Sequence, residues 1–442
     1  MSDISFVRKD MLPPKEPPAS EVGVLGWLKV NLFSTWLNSL LSVVALAFVS
    51  MVIYKLLSWA LVPTWHAKSL SECREIFAAL GKDGHNSAAC WGVIRDRWPQ
   101  LLFGFYPNGA EEGVSDQRWR PVLDLLLLGV AMAPVLFSEK VPRKLIYFTY
   151  VYPFIMPWLL WGGPIWTPIC IAAGFVIAYV VYRVLGNIFG SLVGLVAAVA
   201  TALVWWLFLS GPIASGLASI LPIGLEPVAS RQFGGMMLSI TIGVVAIACS
   251  LPLGILLALG RQSDLLIVKS LCVGFIEFIR GVPLITLLFV ASTLLNIFMP
   301  PGTNFDIIMR VIIMATLFAS AYMAEVIRGG LAALPKGQYE GADSLGLDYW
   351  QAQRLIIMPQ ALKISIPGIV STFIGLFKDT TLVSVIGLLD PLGLTNAIRA
   401  DAAWNGVVWE LYGFIAFMFF VCCFSMSRYS MYLERKLQTG HR

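Results

Sequence analysis

Long apolar runs alternate with short polar interruptions along the chain, and nearly every run approaches the roughly twenty residues that cross a bilayer. In order they are 32–62, 121–137, 145–161, 165–182, 188–209, 234–260, 284–299, 307–327, 364–389 and 407–426. Basic residues punctuate them: Lys140, Arg143 and Lys144 after the second run, Arg183 after the fourth, Arg261 after the sixth, Arg328 after the eighth, and Arg428, Arg435 and Lys436 after the last. Lys and Arg collect in the short cytoplasmic loops of membrane proteins. The pattern therefore predicts about ten transmembrane helices with both termini cytoplasmic. One crossing precedes the polar block 63–120, which is accordingly expected outside the cytoplasm. The stretch 1–30 is polar and Pro-rich, without the apolar core and small-residue cleavage site of a removed signal, so the first span is expected to insert uncleaved.

Two regions are less regular. Between 145 and 209, Pro153, Pro157, Pro164 and Pro168 are placed to tilt or break helices. Before 284, the apolar stretch 265–279 ends at Arg280-Gly281-Val282-Pro283, which predicts an amphipathic or half-buried helix leading into the next crossing. No internal repeat is present. The expected organisation is a cytoplasmic tail 1–30, a membrane extension 31–233 of about five spans carrying the external block 63–120, a five-span core 234–437 interrupted by a charged segment 328–363, and a tail 438–442.

Composition excludes a soluble globule: 58% of residues are hydrophobic, 13% are charged, and the mean hydropathy is +0.78. The net charge of +5 is accounted for by basic loops at a membrane face, so no nucleic-acid partner is implied. In the external block, Cys73 and Cys90 are a candidate disulfide in an oxidising compartment. His66 and His85 lie near them, but the spacing matches no common zinc pattern and no metal site is expected. Cys170, Cys249, Cys272, Cys422 and Cys423 fall in apolar runs and read as packing residues. With three histidines in the chain, no Ser/His/Asp or Cys/His set is credible and no catalytic residue is assigned. A G-x-x-x-x-G-K-[ST] phosphate cradle is absent, so ATP is not expected to bind here. Trp91, Trp98, Phe103, Phe105, Tyr106 and Trp119 read as interfacial anchors.

The most informative stretch is 324–362, AEVIRGGLAALPKGQYEGADSLGLDYWQAQRLIIMPQAL. Gly329, Gly330 and Pro335 are expected to stop the helix that precedes it. Residues 336–345 can form a short helix, with Gly346 suited to the left-handed position that ends it. Asp348 and Gln351 have the form of a capping box that starts a second short helix at Tyr349, carrying Trp350, Leu355 and Ile356, which Pro359 is expected to close. Two short helices outside the membrane, with the small residues Gly341 and Ala342, are suited to lie in a groove of another protein.

These residues carry a family resemblance. Glu340, Ala342, Gly346, Ile357 and Pro359 resemble the EAA signature of permease subunits of ATP-binding-cassette importers. FIRGVPLITLLF, AEVIRGGLAALPKGQ, MPQAL and KDTTLVSVIG are similar to the polar amino acid branch, the histidine/glutamine-type permeases, across 234–437. The added first 233 residues resemble the extended, general L-amino acid permeases. The resemblance implies an all-α polytopic integral membrane protein with a C-terminal five-span type I importer core and cytoplasmic coupling helices. It would be a transport subunit and not an enzyme, in a bacterial inner membrane. Its partners would be a second, typically non-identical permease subunit, two ATPase subunits holding ATP and Mg, a periplasmic amino-acid-binding protein, and the lipid bilayer. Lys336, Glu340, Gly341, Ala342, Gly346, Leu347, Arg354, Ile357 and Pro359 would engage the ATPase.

Charges within apolar runs cost about 2.5–3.5 kcal/mol each on insertion scales and so face a partner or a water-filled path. Glu325 and Asp379 are candidates for a substrate's amino group or cationic end, Arg280 and Lys378 for its carboxylate, and Tyr322, Thr380, Thr381 and Ser384 for neutral hydrogen bonds. The competing reading makes Glu277–Arg280 and Lys378–Asp379 structural ion pairs at headgroup level. A stand-alone secondary transporter or a polytopic membrane enzyme is the alternative function; it calls for an ion-coupled site built by inverted repeats, or a catalytic cluster.

Overall fold

The structure, a computed structural model, describes residues 23–61, 64–81, 88–109, 115–298 and 306–438. The tail up to residue 22, His85, most of the 300–306 connection and the end of the chain with His441 lie outside the described residues. The chain divides into two compact units, Met1–Gly92 and Val93–Arg442.

In the first unit, helix Gly23–Asn31 bends into helix Trp36–Ala60, which starts where Thr35 Oγ1 accepts the Asn38 amide at 3.2 Å. None of the residues of Trp36–Ala60 is buried, as suits a helix whose solvent is lipid. Beyond it, Ser69 caps helix Leu70–Ala79 by accepting the Glu72 amide. Cys73 on that helix is disulfide-bonded to Cys90, with Cα atoms 6.0 Å apart. Trp91 stacks on Trp65 at 5.8 Å and meets the edge of Trp59 at 5.9 Å.

The second unit is helical apart from one short ladder among the described residues, in which Gly163 and Pro164 pair antiparallel with Leu225 and Gly224. Its apolar helices are Trp119–Leu136, Ile146–Trp161, Trp166–Phe189, a π-interrupted Ser191–Ile220, Gly235–Arg261, Leu266–Gly281 with Leu284–Phe298, Ile307–Ala332, a long run from Tyr349 to Ile386, and Trp409–Gln438. Among the described residues of the whole chain, eight helices are long and apolar enough to cross a membrane. There are nine if Leu266–Gly281 and Leu284–Thr293, bent by 100° at Val282-Pro283, count as one span. The remaining expected crossing, Ile146–Trp161, has 16 residues and contains Pro153 and Pro157. At 1.5 Å per residue it reaches about 24 Å, short of a hydrocarbon core of about 30 Å.

Arg120 explains how that short helix ends. Fully buried, its Nε donates to the Leu159 carbonyl at 2.7 Å, Nη1 to Glu226 at 2.8 Å and Nη2 to Leu160 at 3.4 Å, so one guanidinium satisfies carbonyls that the helix end leaves unpaired. Gly162, at φ 74°, turns the chain where any Cβ would overlap the Glu226 carbonyl and the Arg120 guanidinium. Close by, the Tyr106 hydroxyl donates to Leu160 O at 2.7 Å, and burial pushes its pKa up to about 12. Tyr106 is therefore a core residue and not the interfacial anchor expected from its composition-rich block, whereas Trp98, Phe105 and Trp119 do remain exposed.

Residues on both sides of position 233 share one hydrophobic cluster: Tyr106, Tyr152, Met156 and Leu160 with Phe233, Leu238, Ile242, Leu284, Leu288, Ile308, Val311, Leu376 and Val383. At the opposite ends of the same spans a second cluster joins Leu259, Ile276, Met323, Ile327, Leu331, Ile357 and Ala361. Here Gly330 is a packing residue. The helix expected to stop at Gly329 and Gly330 runs on to Ala332, because Gly330 lets it approach Met358–Asp379 so closely that a Cβ would overlap Ser365 Oγ and the Ala361 carbonyl.

Candidate functional site

Segment 328–363 begins at the end of Ile307–Ala332. Pro335 opens helix Lys336–Ser344, the chain reverses at Gly346 with φ 68°, and Asp348 with Gln351 forms the capping box of Tyr349–Ala352, its amide meeting Gln351 Oε1 at 3.2 Å. The next element departs from expectation, since Pro359 does not close a second short helix. The backbone instead widens into a π stretch, Gln353–Ile357, where the Met358 amide bonds the Gln353 carbonyl, and then continues as Met358–Asp379. A π turn makes room for a ring that would clash with the carbonyl four residues back and lacks an N–H to offer it. The run from Tyr349 to Ile386 holds 38 residues. At 1.5 Å each this is about 57 Å, so nearly half projects beyond the hydrocarbon.

The segment has two faces. Inward, Ala342 and Ile357 are buried and Leu334, Ile357 and Ala361 sit in the second cluster with Tyr339 and Ile356 against it. Outward, Leu345 is 73% exposed, Trp350 62% and Leu355 64%, alongside exposed Lys336, Glu340, Gly341, Gly346, Arg354 and Pro359, with Leu347 half-buried. Ala342 and Ile357 thus hold the segment to its own chain. Leu345 and Tyr349 complete the outward apolar ridge and were not singled out from the sequence; an apolar pair flanking a Gly-terminated polar helix was the available signal.

Directly behind this segment lies a charge network. Glu325, with a side chain 16% exposed, meets Arg261 at 2.6 Å, Arg328 at 3.0 Å and Arg280 at 3.7 Å, and Arg261 also meets Glu277 at 3.0 Å. Arg280 additionally lies over the Tyr322 ring at 5.6 Å. The network ties Gly235–Arg261, Leu266–Gly281 and Ile307–Ala332 together at one end. It also reassigns the expected pairing, since Arg280 is shared with Glu325 and Glu277 is taken by Arg261. Three cations occupy Glu325, which leaves its carboxylate committed to the scaffold in this conformation.

The other candidates lie deeper. A small cavity is lined by Ile242, Leu284, Leu288, Val311, Ala315, Leu376, Asp379, Thr380 and Val383. At this depth the helix Met358–Asp379 tightens into a 3-10 turn, Thr380–Ile386, ended by Gly387 at φ 87°. Asp379 and Thr380 are thereby brought to one apolar chamber, and Asp379 has no ion pair within 4.0 Å among the described residues. Its neighbour Lys378 is exposed and makes no ion pair with it. The hydroxyls of Thr380, Thr381 and Ser384 donate to the carbonyls of Phe377, Lys378 and Thr381 at 2.7, 2.9 and 2.9 Å, leaving their oxygens as acceptors only. Glu325, Arg280 and Tyr322 belong to the charge network and do not line this chamber.

Residues 250–439 match the model of the binding-protein-dependent transport system inner membrane component. Over its whole length the chain is 58% identical to the glutamate/glutamine/aspartate/asparagine transport system permease protein BztC of Rhodobacter capsulatus, covering 100% of both chains. With the inner membrane amino-acid ABC transporter permease protein YhdY of Escherichia coli it shares 40% identity, covering 97% of each. The chain belongs to the ABC transporter permease family. It is therefore a multi-pass inner-membrane transport subunit, and hydrolysis of ATP belongs to a separate ATPase; the stand-alone alternative is not favoured. The probable glutamine permease GlnM of Bacillus subtilis is 31% identical over 212 residues, which is 48% of this chain but 95% of that one. A solved amino acid ABC transporter with histidines shares 31% identity with 46% of this chain and 92% of its own, at a TM-score of 0.41.

Proposed function

We propose that this chain translocates polar L-amino acids, acidic residues and their amides foremost, handed to it by a periplasmic binding protein. It would work beside a second, non-identical permease subunit and two ATPase subunits that carry ATP and Mg. Both termini face the cytoplasm in this reading, with segment 328–363 on the same side.

The observation that carries the coupling reading is the apolar ridge of Leu345, Tyr349, Trp350 and Leu355, exposed on a segment that projects beyond the bilayer while its other face is anchored by Ala342 and Ile357. Ridges of this kind bury against a partner groove. Lys336, Glu340, Gly341, Gly346, Leu347, Arg354 and Pro359 border it and form the docking surface for the ATPase, with Ala342 and Ile357 fixing its orientation. Closure of the ATPase would act on the Glu325 network directly behind, provided the two permease conformations bind the ATPase with different affinity. Substrate passes the chamber at Asp379 and Thr380, where the free carboxylate can receive an amino group, and Thr381 and Ser384 present acceptor oxygens further along the path. The identity with BztC supports acidic amino acids and their amides as the substrate class.

Uptake by proteoliposomes containing the complete complex, supplied with binding protein and a panel of labelled amino acids, tests this. The expected result is ATP-dependent uptake of glutamate, aspartate, glutamine and asparagine that falls about tenfold or more with Asp379→Ala, a loss of at least 1.4 kcal/mol in transition-state binding. Undiminished uptake by that variant would remove Asp379 from the path.

A further inference from the structure

The short relative GlnM is matched over 95% of its length by about half of this chain, so a permease core of this family exists without the long N-terminal extension. What the extension does is written in its contacts with the end of the core opposite to segment 328–363. Helix Gly92–Phe103 and the turn after it touch that end at three places. At its middle, Arg97 is ion-paired to Asp401, and Asp96 Oδ2 accepts the indole N–H of fully buried Trp404 at 2.8 Å. The next residue, Trp98, meets the edge of Phe414 on the last span at 5.5 Å. At its end, Gly104 forms an antiparallel bridge with Phe233, and a Cβ on Gly104 would collide with Gly234. Gly234 in turn bridges Leu389, whose carbonyl accepts the Gly235 amide at 2.8 Å.

The core stretch held between these contacts is continuous with the interior chamber. From Asp379 and Thr380 the chain runs through the 3-10 turn to Gly387, is pinned at Leu389, and is capped by buried Asp390, which accepts the Leu392 and Gly393 amides at 3.1 and 2.9 Å. It then forms helix Pro391–Ala400, with Pro391, Leu394, Thr395 and Ile398 buried, and reaches Asp401 and Trp404. The extension thus holds this connector directly at 401–404, through Asp96 and Arg97, and indirectly at Leu389, where Gly104 packs on Gly234 and Gly234 bridges Leu389. Ten helical residues between these contacts cover about 15 Å.

We propose that residues 92–104 are a splint on this connector, and that Asp96 and Arg97 are positioning residues for transport, acting on the chamber through the 401–404 loop. The inference rests on the importer reading above. It assigns the extension a task in the transport cycle: by holding the connector rigid, the splint passes a disturbance at the external surface to Asp379 and Thr380 instead of letting the loop absorb it.

The test measures ATP hydrolysis by the purified complex against the concentration of glutamate-loaded binding protein, for the wild type, Arg97→Ala, Asp401→Ala, their double variant, Asp96→Leu and Asp96→Asn. Recovery of assembled complex and its melting temperature are recorded for each. A partly exposed ion pair is expected to shift stimulated turnover about threefold, and removal of the acceptor from a buried indole more, about tenfold. The splint predicts lower maximal turnover at unchanged half-saturating binding protein and unchanged assembly, a double variant no worse than either single, and restoration by Asp96→Asn, which keeps an acceptor oxygen. Wild-type turnover in Asp96→Leu and Arg97→Ala, or a loss that tracks assembly and melting in every variant, would overturn it. If the wild-type complex shows no stimulation by loaded binding protein at all, it is the importer reading that fails.

Discussion

The two ends of the permease core are held by different chemistry. At the Leu389 end the chain is fastened to its own extension by backbone bridges, a glycine contact at Gly104, an ion pair from Arg97 to Asp401 and a hydrogen bond from the Trp404 indole to Asp96, while within the extension the Trp161 and Phe233 rings meet at 4.6 Å. At the Arg261 end three arginines share one carboxylate, and beyond them an apolar ridge is left bare. Backbone bridges and buried rings fix a geometry, whereas a partly solvated ion network can exchange partners at modest cost. The contrast sets a fixed end, completed within the chain, against an end that leaves an apolar ridge exposed.

Breaking the open end should have the largest effect. Leu345→Asp with Trp350→Asp alters two exposed side chains that belong to neither core cluster described above, so the subunit should remain folded in the membrane while ATP-driven uptake falls to background; normal uptake would mean the ridge is not a docking surface. Next, Glu325→Ala leaves Arg261, Arg280 and Arg328 facing each other without their shared anion, which should cost about 3–5 kcal/mol before discounting for their partial exposure. The loss would register as a lower melting temperature in detergent, and Glu325→Gln should recover part of it. If both variants melted like the wild type, the network would not be what joins the three helices.

Within the first unit, reduction or Cys73→Ser with Cys90→Ser removes a cross-link spanning 17 positions, worth about 3 kcal/mol to that unit alone. Proteolysis near Cys90 should accelerate while the melting of 93–442 stays put. The smallest effect concerns Asp390, whose carboxyl burial pushes up to about 6 in spite of the amides of Gly393 and Leu392 that bond it. The folded state therefore holds this proton more tightly than the unfolded chain, where it leaves near pH 3.9. The corresponding stability is fully present below about pH 4 and is lost as pH rises through about 6, so melting temperature should fall between about pH 4 and 6 and level off above, and Asp390→Asn should flatten that slope.

The fixed end was the harder to read from the sequence. Hydropathy runs locate spans because each depends only on neighbouring residues, and the motif at Glu340, Gly346 and the Asp348–Gln351 box is equally local. Cys73 and Cys90 were recognisable for a similar reason, as the two cysteines of the one long polar block. Asp96 and Trp404 are separated by 308 positions, and nothing in either neighbourhood announces the other. Glu325 was visible as a charge in an apolar run and Arg261, 64 positions away, as a basic residue ending another, but their pairing is set by how three helices cross. Local rules also misled where tertiary packing overrode them. Gly330 reads as a helix stop and serves as a close-approach surface, Pro359 reads as a terminator and is absorbed by a π turn, and Ala342 reads as a contact and faces inward.

The most direct measurement is a pull-down of the tagged chain from membranes in mild detergent, wild type beside the Leu345→Asp/Trp350→Asp variant, scored for a co-purifying ATPase and for ATP turnover in the eluate. The account predicts that the wild type brings down a nucleotide-hydrolysing subunit and that the variant, recovered in equal amount, does not. Equal recovery of the ATPase with both would contradict the claim that segment 328–363 is the surface through which this permease is driven.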